Sequence, residues 1–200
     1  MQHLFKQGND KKPVFLLLHG TGGDENSLLA LAEIVDPEAS VLSVRGNVLE
    51  NGMPRFFRRV ADGVFDMEDL AARTKELYEF LDDAAKEYNF NRDNIIAIGY
   101  SNGANIAANL LYDYNDALKG AILHHPMVPN RDAQIPQQDT KVFIAAGSND
   151  PMCSPQEATD LQAMLSQQGA IVTLEWEQNG HQLTMNEVQK AKTWYEQNFA

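Results

Sequence analysis

Short apolar runs recur along the chain with almost no polar residue inside them. They lie at 14–19 (Val-Phe-Leu-Leu-Leu-His), 41–45, 95–100 (Ile-Ile-Ala-Ile-Gly-Tyr), 120–125, 142–146 (Val-Phe-Ile-Ala-Ala) and 172–177. Most lack the in-out alternation of a half-exposed strand, which is how strands covered on both faces read. Between them run helical periods. Leu70, Thr74, Leu77, Leu81, Ala85 and Tyr88 step by three or four and predict a helix over 66–88. Similar stripes occur at Leu28, Leu31 and Val35, at Ile106, Leu110 and Leu111, at Ala158, Leu161 and Leu165, and at Met185, Val188 and Tyr195. Parallel neighbours need a crossover, and helical crossovers cover the sheet. The expected fold class is therefore α/β, a mostly parallel central sheet with helices on both faces. Residues 2–7 predict an antiparallel edge strand that turns back through Gly8-Asn9-Asp10.

Gly and Pro fall between these segments, and no repeat or linker interrupts them, so residues 1–200 are expected to form a single domain. In an open sheet of this type ligands sit at the carboxyl ends of the strands, which directs attention to the loops there.

Strand 95–100 ends in Gly99-Tyr100-Ser101-Asn102-Gly103, a G-x-S-x-G followed at once by a helical stripe. This is the pattern of a nucleophile elbow, in which small residues let the chain pass closely around a serine on a sharp strand-to-helix turn. With 13 glycines among 200 residues, only about 0.03 accidental matches to the pattern are expected. A serine hydroxyl needs an imidazole base, and the imidazole needs a carboxylate to fix its tautomer. The chain order on this fold is Ser, acid, His, and only His181 follows a plausible acid; His3, His19, His124 and His125 precede it. Asp150, just beyond strand 142–146 and followed by Pro151, is the first candidate for the acid, with Asp132 its rival. Asp139 and Asp160 read as solvated charges.

After strand 14–19 comes His19-Gly20-Thr21-Gly22-Gly23-Asp24-Glu25. A glycine-rich turn aims backbone N–H groups inward, and the expected oxyanion donors are the N–H groups of Thr21 and of Asn102. Glu25 stands where a dinucleotide loop would need its third glycine. His19 reads as a residue packing this loop.

These four segments together resemble the phospholipase/carboxylesterase branch of the α/β-hydrolases over nearly the whole chain. Arg45-Gly46-Asn47 and Asn51-Gly52-Met53-Pro54-Arg55-Phe56-Phe57-Arg58-Arg59 are similar to a bacterial subgroup of esterases within it. The resemblance implies an α/β-hydrolase fold without a lid domain, with Ser101 as nucleophile, Asp150 as acid, His181 as base, and Thr21 and Asn102 as oxyanion donors. Pro54–Arg59 should overhang the site. There Arg55 or Arg58 would meet a carboxylate, and Phe56, Phe57 and Met127 would wall a substrate pocket; the equal alternative is that the aromatics close the core and the arginines pair with the acidic surface. His124 and His125 end the strand before Met127; adjacent residues of a strand point to opposite sides, so the pair is not expected to chelate one metal. Met152 and Cys153 read as packing or pocket wall.

The expected activity is that of a serine carboxylesterase acting on a small-molecule ester with a short acyl group, with no cofactor and no metal. A thioesterase or lysophospholipase would use the same atoms, and a silent binding protein of this fold would usually lack a triad member. With 16 basic and 28 acidic residues, the net charge of −12 argues against nucleic acid or an anionic membrane as partner. The longest uninterrupted apolar stretch, Val14–Leu18, is far short of the roughly 18 residues a membrane span needs. No signal-peptide pattern opens the chain, and Cys153 is the single cysteine, so the expected location is the cytoplasm, as monomer or homodimer.

Overall fold

In the computed structural model, which describes residues 1–137 and 139–199, every apolar run becomes a strand whose ends lie within one residue of those read from the sequence. The chain runs through β1 (His3–Lys6), β2 (Val14–Leu18), α1 (Leu29–Val35) and β3 (Ser40–Val44). Two hairpins follow, β4 (Val48–Glu50) with β5 (Met53–Arg55), then β6 (Arg59–Ala61) with β7 (Val64–Phe65). The rest is α2 (Met67–Tyr88), β8 (Ile95–Tyr100), α3 (Asn102–Asp113), β9 (Gly120–His124), β10 (Lys141–Gly147), α4 (Pro155–Gln167), β11 (Ile171–Glu177) and α5 (Met185–Phe199).

Seven strands form the main sheet in the order β1-β3-β2-β8-β9-β10-β11. Only β1 is antiparallel, pairing His3 with Val44, and Phe5 holds it down by stacking on Tyr88 of α2 at 4.2 Å between ring centroids. This is the α/β-hydrolase architecture. All five residues of β2, of β3 and of β9 are buried, as runs covered on both faces must be. One face packs Leu16, Ala97, Leu123 and Ile144 against α2, α3 and α4; the other packs Phe15, Ile98, Ile122 and Phe143 against α1 and α5.

α2 shows why these segments start and stop where they do. Asp66 caps it by accepting the Asp69 N–H, Glu68 and Asp69 sit in the positive first turn, and Asn89 ends it in a left-handed conformation at φ 54°.

From β2 the chain moves outward to β3, then returns to place β8 on the other side of β2. Successive crossovers leave β2 and β8 toward opposite faces, which opens a crevice at their carboxyl ends. The register Leu18↔Gly99 and Tyr100↔His124 brings the loops after β2, β8 and β9 to the same edge.

The 46–66 segment departs from a simple overhang. Asn51 and Gly52, at φ 53° and 79°, form the turn of the first hairpin, which suits the left-handed conformations such a turn requires.

Candidate active site

Ser101 occupies the single residue between β8 and α3 at φ 52° and ψ −115°, a conformation that costs a non-glycine residue roughly 1–3 kcal/mol. The fold over-determines it. Its N–H donates to His124 O at 2.9 Å and its carbonyl accepts from Asn105 N–H at 2.9 Å. Glycine on either side is a packing requirement, since a Cβ at Gly99 would meet the Ala104 backbone at 2.7 Å and one at Gly103 would overlap the Leu18 carbonyl.

His181 lies in the loop after β11, half-buried, with Nε2 at 2.9 Å from Ser101 Oγ and Nδ1 at 2.6 Å from Asp150 Oδ2. Three contacts set that loop: the Tyr100 hydroxyl donates to His181 O at 2.7 Å, Asn149 Oδ1 accepts the Gly180 N–H at 2.9 Å, and Gly147 lets the Gly180 carbonyl pass where a side chain would collide. Asp150 is buried. Its Oδ1 accepts the N–H groups of Met152 and Cys153 at 2.8 and 3.0 Å. Burial alone would raise its carboxyl, but the hydrogen bonds from His181 and these two amides outweigh it and hold the group below the usual carboxylate range. Asp132 is exposed, and its backbone N–H is taken by Asn130 Oδ1 at 3.0 Å, so Asp150 is the carboxylate that meets His181. An imidazole so placed can take the Ser101 hydroxyl proton while the carboxylate fixes its tautomer.

A cavity of about 520 Å³ opens over Ser101, within the size range of small-molecule sites. Thr21 and Asn102 flank the serine, and Asn102, first residue of α3, has an N–H with no acceptor in its own helix. The hairpins contribute Arg55, Arg59, Asp62, Gly63 and Phe65 to its lining, and Met127, Met152 and Cys153 complete it, the Met127 methyl reaching Gly63 of the second hairpin. Arg55 is 4 % exposed, donates from Nη1 to Thr21 Oγ1 at 2.7 Å and from Nε to Phe57 O at 3.2 Å, and faces Glu50 at 3.5 Å. Asn102 Oδ1 accepts the Phe56 N–H at 2.8 Å, and the Gly22 N–H donates to Pro54 O, which ties the hairpins to both loops flanking Ser101.

Two expectations are corrected. Phe56 and Phe57 do not line the cavity: they are fully buried, Phe56 against His19 and Phe57 edge-on to Phe65, and they plug the hairpins into the core. Apolar area drives such side chains inward whenever a neighbouring core has room. His124 and His125 do not point to opposite sides. β9 ends at His124, and His125 turns to φ 52°, so both rings converge on Glu187 of α5. Alternation holds only while the strand continues. Arg58 also lies away from the cavity, paired with Asp66 at 3.1 Å. His19 bridges Gly20 O and the Gly46 N–H.

The phospholipase/carboxylesterase family profile matches residues 3–198. The chain belongs to that family. It is accordingly a carboxylesterase-type hydrolase. Its relatives include "Putative hydrolase MhqD" of Bacillus subtilis (strain 168), 52 % identical over 198 residues and 98 % of each chain. Among solved structures it is similar to the Bacillus cereus carboxylesterase, with a TM-score of 0.99 at 66 % identity over 100 % of this chain and 95 % of that one. YahD, solved with malic acid, superposes with a TM-score of 0.93 at 33 % identity over 98 % of both chains.

Within this family member the groups that reading the sequence missed are polar and buried. Glu187 is 0 % exposed and accepts from Thr184 N–H and from His124 Nδ1, the latter at 3.1 Å. His125 Nδ1 lies 3.2 Å from Asp150 Oδ2, and its Nε2 lies 3.2 Å from Glu187 Oε2, an ion-pair distance without hydrogen-bond alignment. A glutamate inside a helical stripe reads as a solvated charge, and only a cationic or N–H-bearing neighbour with no other partner would have signalled otherwise. His125, Asp150 and His181 also form the one group of three metal-ligand-type residues among the described residues, with ligand-type atoms within 4.8 Å of one another; the contacts that link them through Asp150 Oδ2 are hydrogen-bond distances.

Proposed function

We propose that this chain is a serine carboxylesterase that hydrolyses small, short-acyl esters through an acyl-enzyme. Ser101 Oγ attacks the ester carbonyl as its proton passes to His181 Nε2, and Asp150 stabilises the imidazolium that forms. The developing oxyanion is received by the N–H groups of Thr21 and Asn102. His181 returns the proton to the leaving alcohol, and water, activated by the same imidazole, releases the acid. The observation that carries this reading is the unbroken path from Ser101 Oγ through His181 to Asp150, at 2.9 and 2.6 Å, on a serine held in left-handed backbone.

The cavity wall supports a small and polar substrate. Arg55 and Arg59 of the hairpins both line the cavity. Arg59 is spent on Glu50 and Asp62, at 2.6 Å each, whereas Arg55 meets Glu50 only at 3.5 Å. A carboxylate on the acyl or alcohol part would find its partner in Arg55, and malic acid, with which YahD was solved, is a molecule of that size and charge.

The test is covalent labelling. A fluorophosphonate should add once to the wild type, at Ser101 by peptide mapping, and not to Ser101→Ala; an adduct on the alanine variant would remove Ser101 from the mechanism. A panel of oxygen and thiol esters then separates an esterase from a thioesterase.

A further inference from the structure

The proton path just proposed leaves unused a buried polar layer directly beneath it. Asp150 and Glu187 are two carboxylates withdrawn from water, and charges so placed persist only when compensated. One ring lies between them. His125 presents Nδ1 to Asp150 Oδ2 and Nε2 to Glu187 Oε2, each at 3.2 Å. A neutral imidazole has one N–H and one lone pair, so in either tautomer the lone pair would face a carboxylate oxygen; the imidazolium instead hydrogen-bonds Asp150 and sets its positive charge 3.2 Å from Glu187. Placing the extra proton on Glu187 instead conflicts with its other contacts, because its two oxygens already accept from Thr184 N–H and His124 Nδ1.

We propose that His125 is a positioning residue, held as a doubly protonated imidazolium between Glu187 and Asp150, which orients Asp150 for His181. This rests on the triad reading above. The groups facing His125 are Asp150 from the loop after β10, Glu187 from α5, its neighbour His124, His181 with ring centroids 5.2 Å apart, Tyr100 at 6.1 Å, and Cys153, whose Sγ contacts the His125 carbonyl at 3.6 Å. Burial pushes the Tyr100 hydroxyl and the Cys153 thiol up, the thiol to about 12, so both stay neutral. Burial also opposes a charge on His125, but Glu187 and Asp150 outweigh it and hold the imidazole above its ordinary range. On Glu187 burial is likewise outweighed, by the bonds from His124 and His125, and the carboxyl is held at about 2.

Asp150 Oδ2 thus accepts from two imidazoles while two backbone amides hold Oδ1, leaving the carboxylate no freedom to rotate. Because His125 already carries both protons, it cannot accept one passed from His181 through Asp150.

The experiment uses the full chain labelled with ¹⁵N-histidine, whose five histidines give resolvable ring signals. At about pH 8, where a free imidazole is neutral, both His125 nitrogens are expected in the protonated range. In His125→Gln, which keeps an amide N–H but no charge, kcat should fall about tenfold with KM little changed, because Asp150 loses an orienting partner outside the substrate cavity. A bare ring nitrogen on His125 in the wild type overturns the proposal, as does an unchanged kcat in the folded variant. The wild-type spectrum decides alone where the variant does not fold. Fluorophosphonate labelling separates the two readings: an unlabelled wild type strikes the triad, whereas a labelled wild type with neutral His125 strikes only this inference.

Discussion

Two segments close the same cavity by opposite means. On one side Ser101, Asp150 and His181 stand on short loops at the ends of buried strands, each backbone fixed by hydrogen bonds to its neighbours. On the other side residues 46–66 form two small hairpins outside the main sheet, with Leu49, Val60 and Val64 turned into solvent. The hairpins are held by what they insert: Phe56 and Phe57 in the core, Arg55 on Thr21, and the Phe56 N–H on Asn102. A site built this way keeps the proposed Ser101–His181–Asp150 relay on rigid elements and leaves the shape of the pocket to a segment outside the main sheet.

The first way to break that comparison is at the rigid side. Ser101→Ala should lower kcat by roughly 10⁴- to 10⁶-fold with little change in thermal midpoint, measured by steady-state hydrolysis of an activated ester and by calorimetry. The alanine keeps the Cβ and with it the left-handed strain at φ 52°. Asp150→Asn should cost about 10⁴-fold by favouring the wrong His181 tautomer, while Asp132→Asn on the exposed loop changes kcat by less than about twofold. Equal losses in both would mean that the 2.6 Å contact to His181 is not what selects the acid.

The hairpin side should fail differently. Phe57→Ala removes a fully buried ring and should cost about 3–5 kcal/mol in urea unfolding. Activity per folded molecule should fall far less than in Ser101→Ala. If the variant instead keeps its stability and gains activity on longer esters, Phe57 walls the pocket after all.

How much of this was legible divides along the same line. The strands and α2 were readable because buried parallel strands and an amphipathic helix each impose a period, and the elbow because close approach permits only glycine at Gly99 and Gly103. The hairpins were not read, although Asn51-Gly52 is a strong turn signal, because strands of two or three residues carry no period. Phe56 and Phe57 looked like pocket wall because position along the chain says which loop a residue is on, not which way it turns. The His124–His125–Glu187 cluster was invisible for a similar reason: it depends on a strand ending one residue early.

A smaller effect tests the buried layer on the rigid side. Asp150 and Glu187 both have carboxyls held below the ordinary range, Glu187 at about 2 against 4.5. A depressed carboxyl binds its proton more weakly in the folded than in the unfolded chain, so it stabilises the fold above its ordinary pKa. That contribution fades as pH falls from about 4.5 toward 2, by up to about 3 kcal/mol for Glu187. In Glu187→Gln the unfolding free energy should be lower near neutrality and less steep across that window. An unchanged slope would mean that the carboxylate is not ionised in the folded state.

The smallest expected effect sharpens the contrast on substrates. Burying one methylene is worth about 0.8 kcal/mol, or roughly fourfold in kcat/KM, for as long as apolar wall continues. Here the apolar lining, Phe65, Met127 and Met152, is short and shares the cavity with the charged Arg55, Arg59 and Asp62. Additional carbons would then desolvate charged groups without a partner, which offsets the gain. We therefore expect kcat/KM to peak among acetyl to butyryl esters. Met127→Ala should move the optimum out by one or two carbons, about a fourfold effect per carbon, without touching the acid limb of the pH profile. The exposed Leu49, Val60 and Val64 give the competing outcome its basis, because an apolar rim on the hairpins would hold a long chain outside the cavity. If kcat/KM instead climbs steadily from butyryl to palmitoyl and falls when Val64 is replaced by lysine, the hairpins are the acyl site, and the enzyme is a lysophospholipase or depalmitoylase rather than a short-chain esterase.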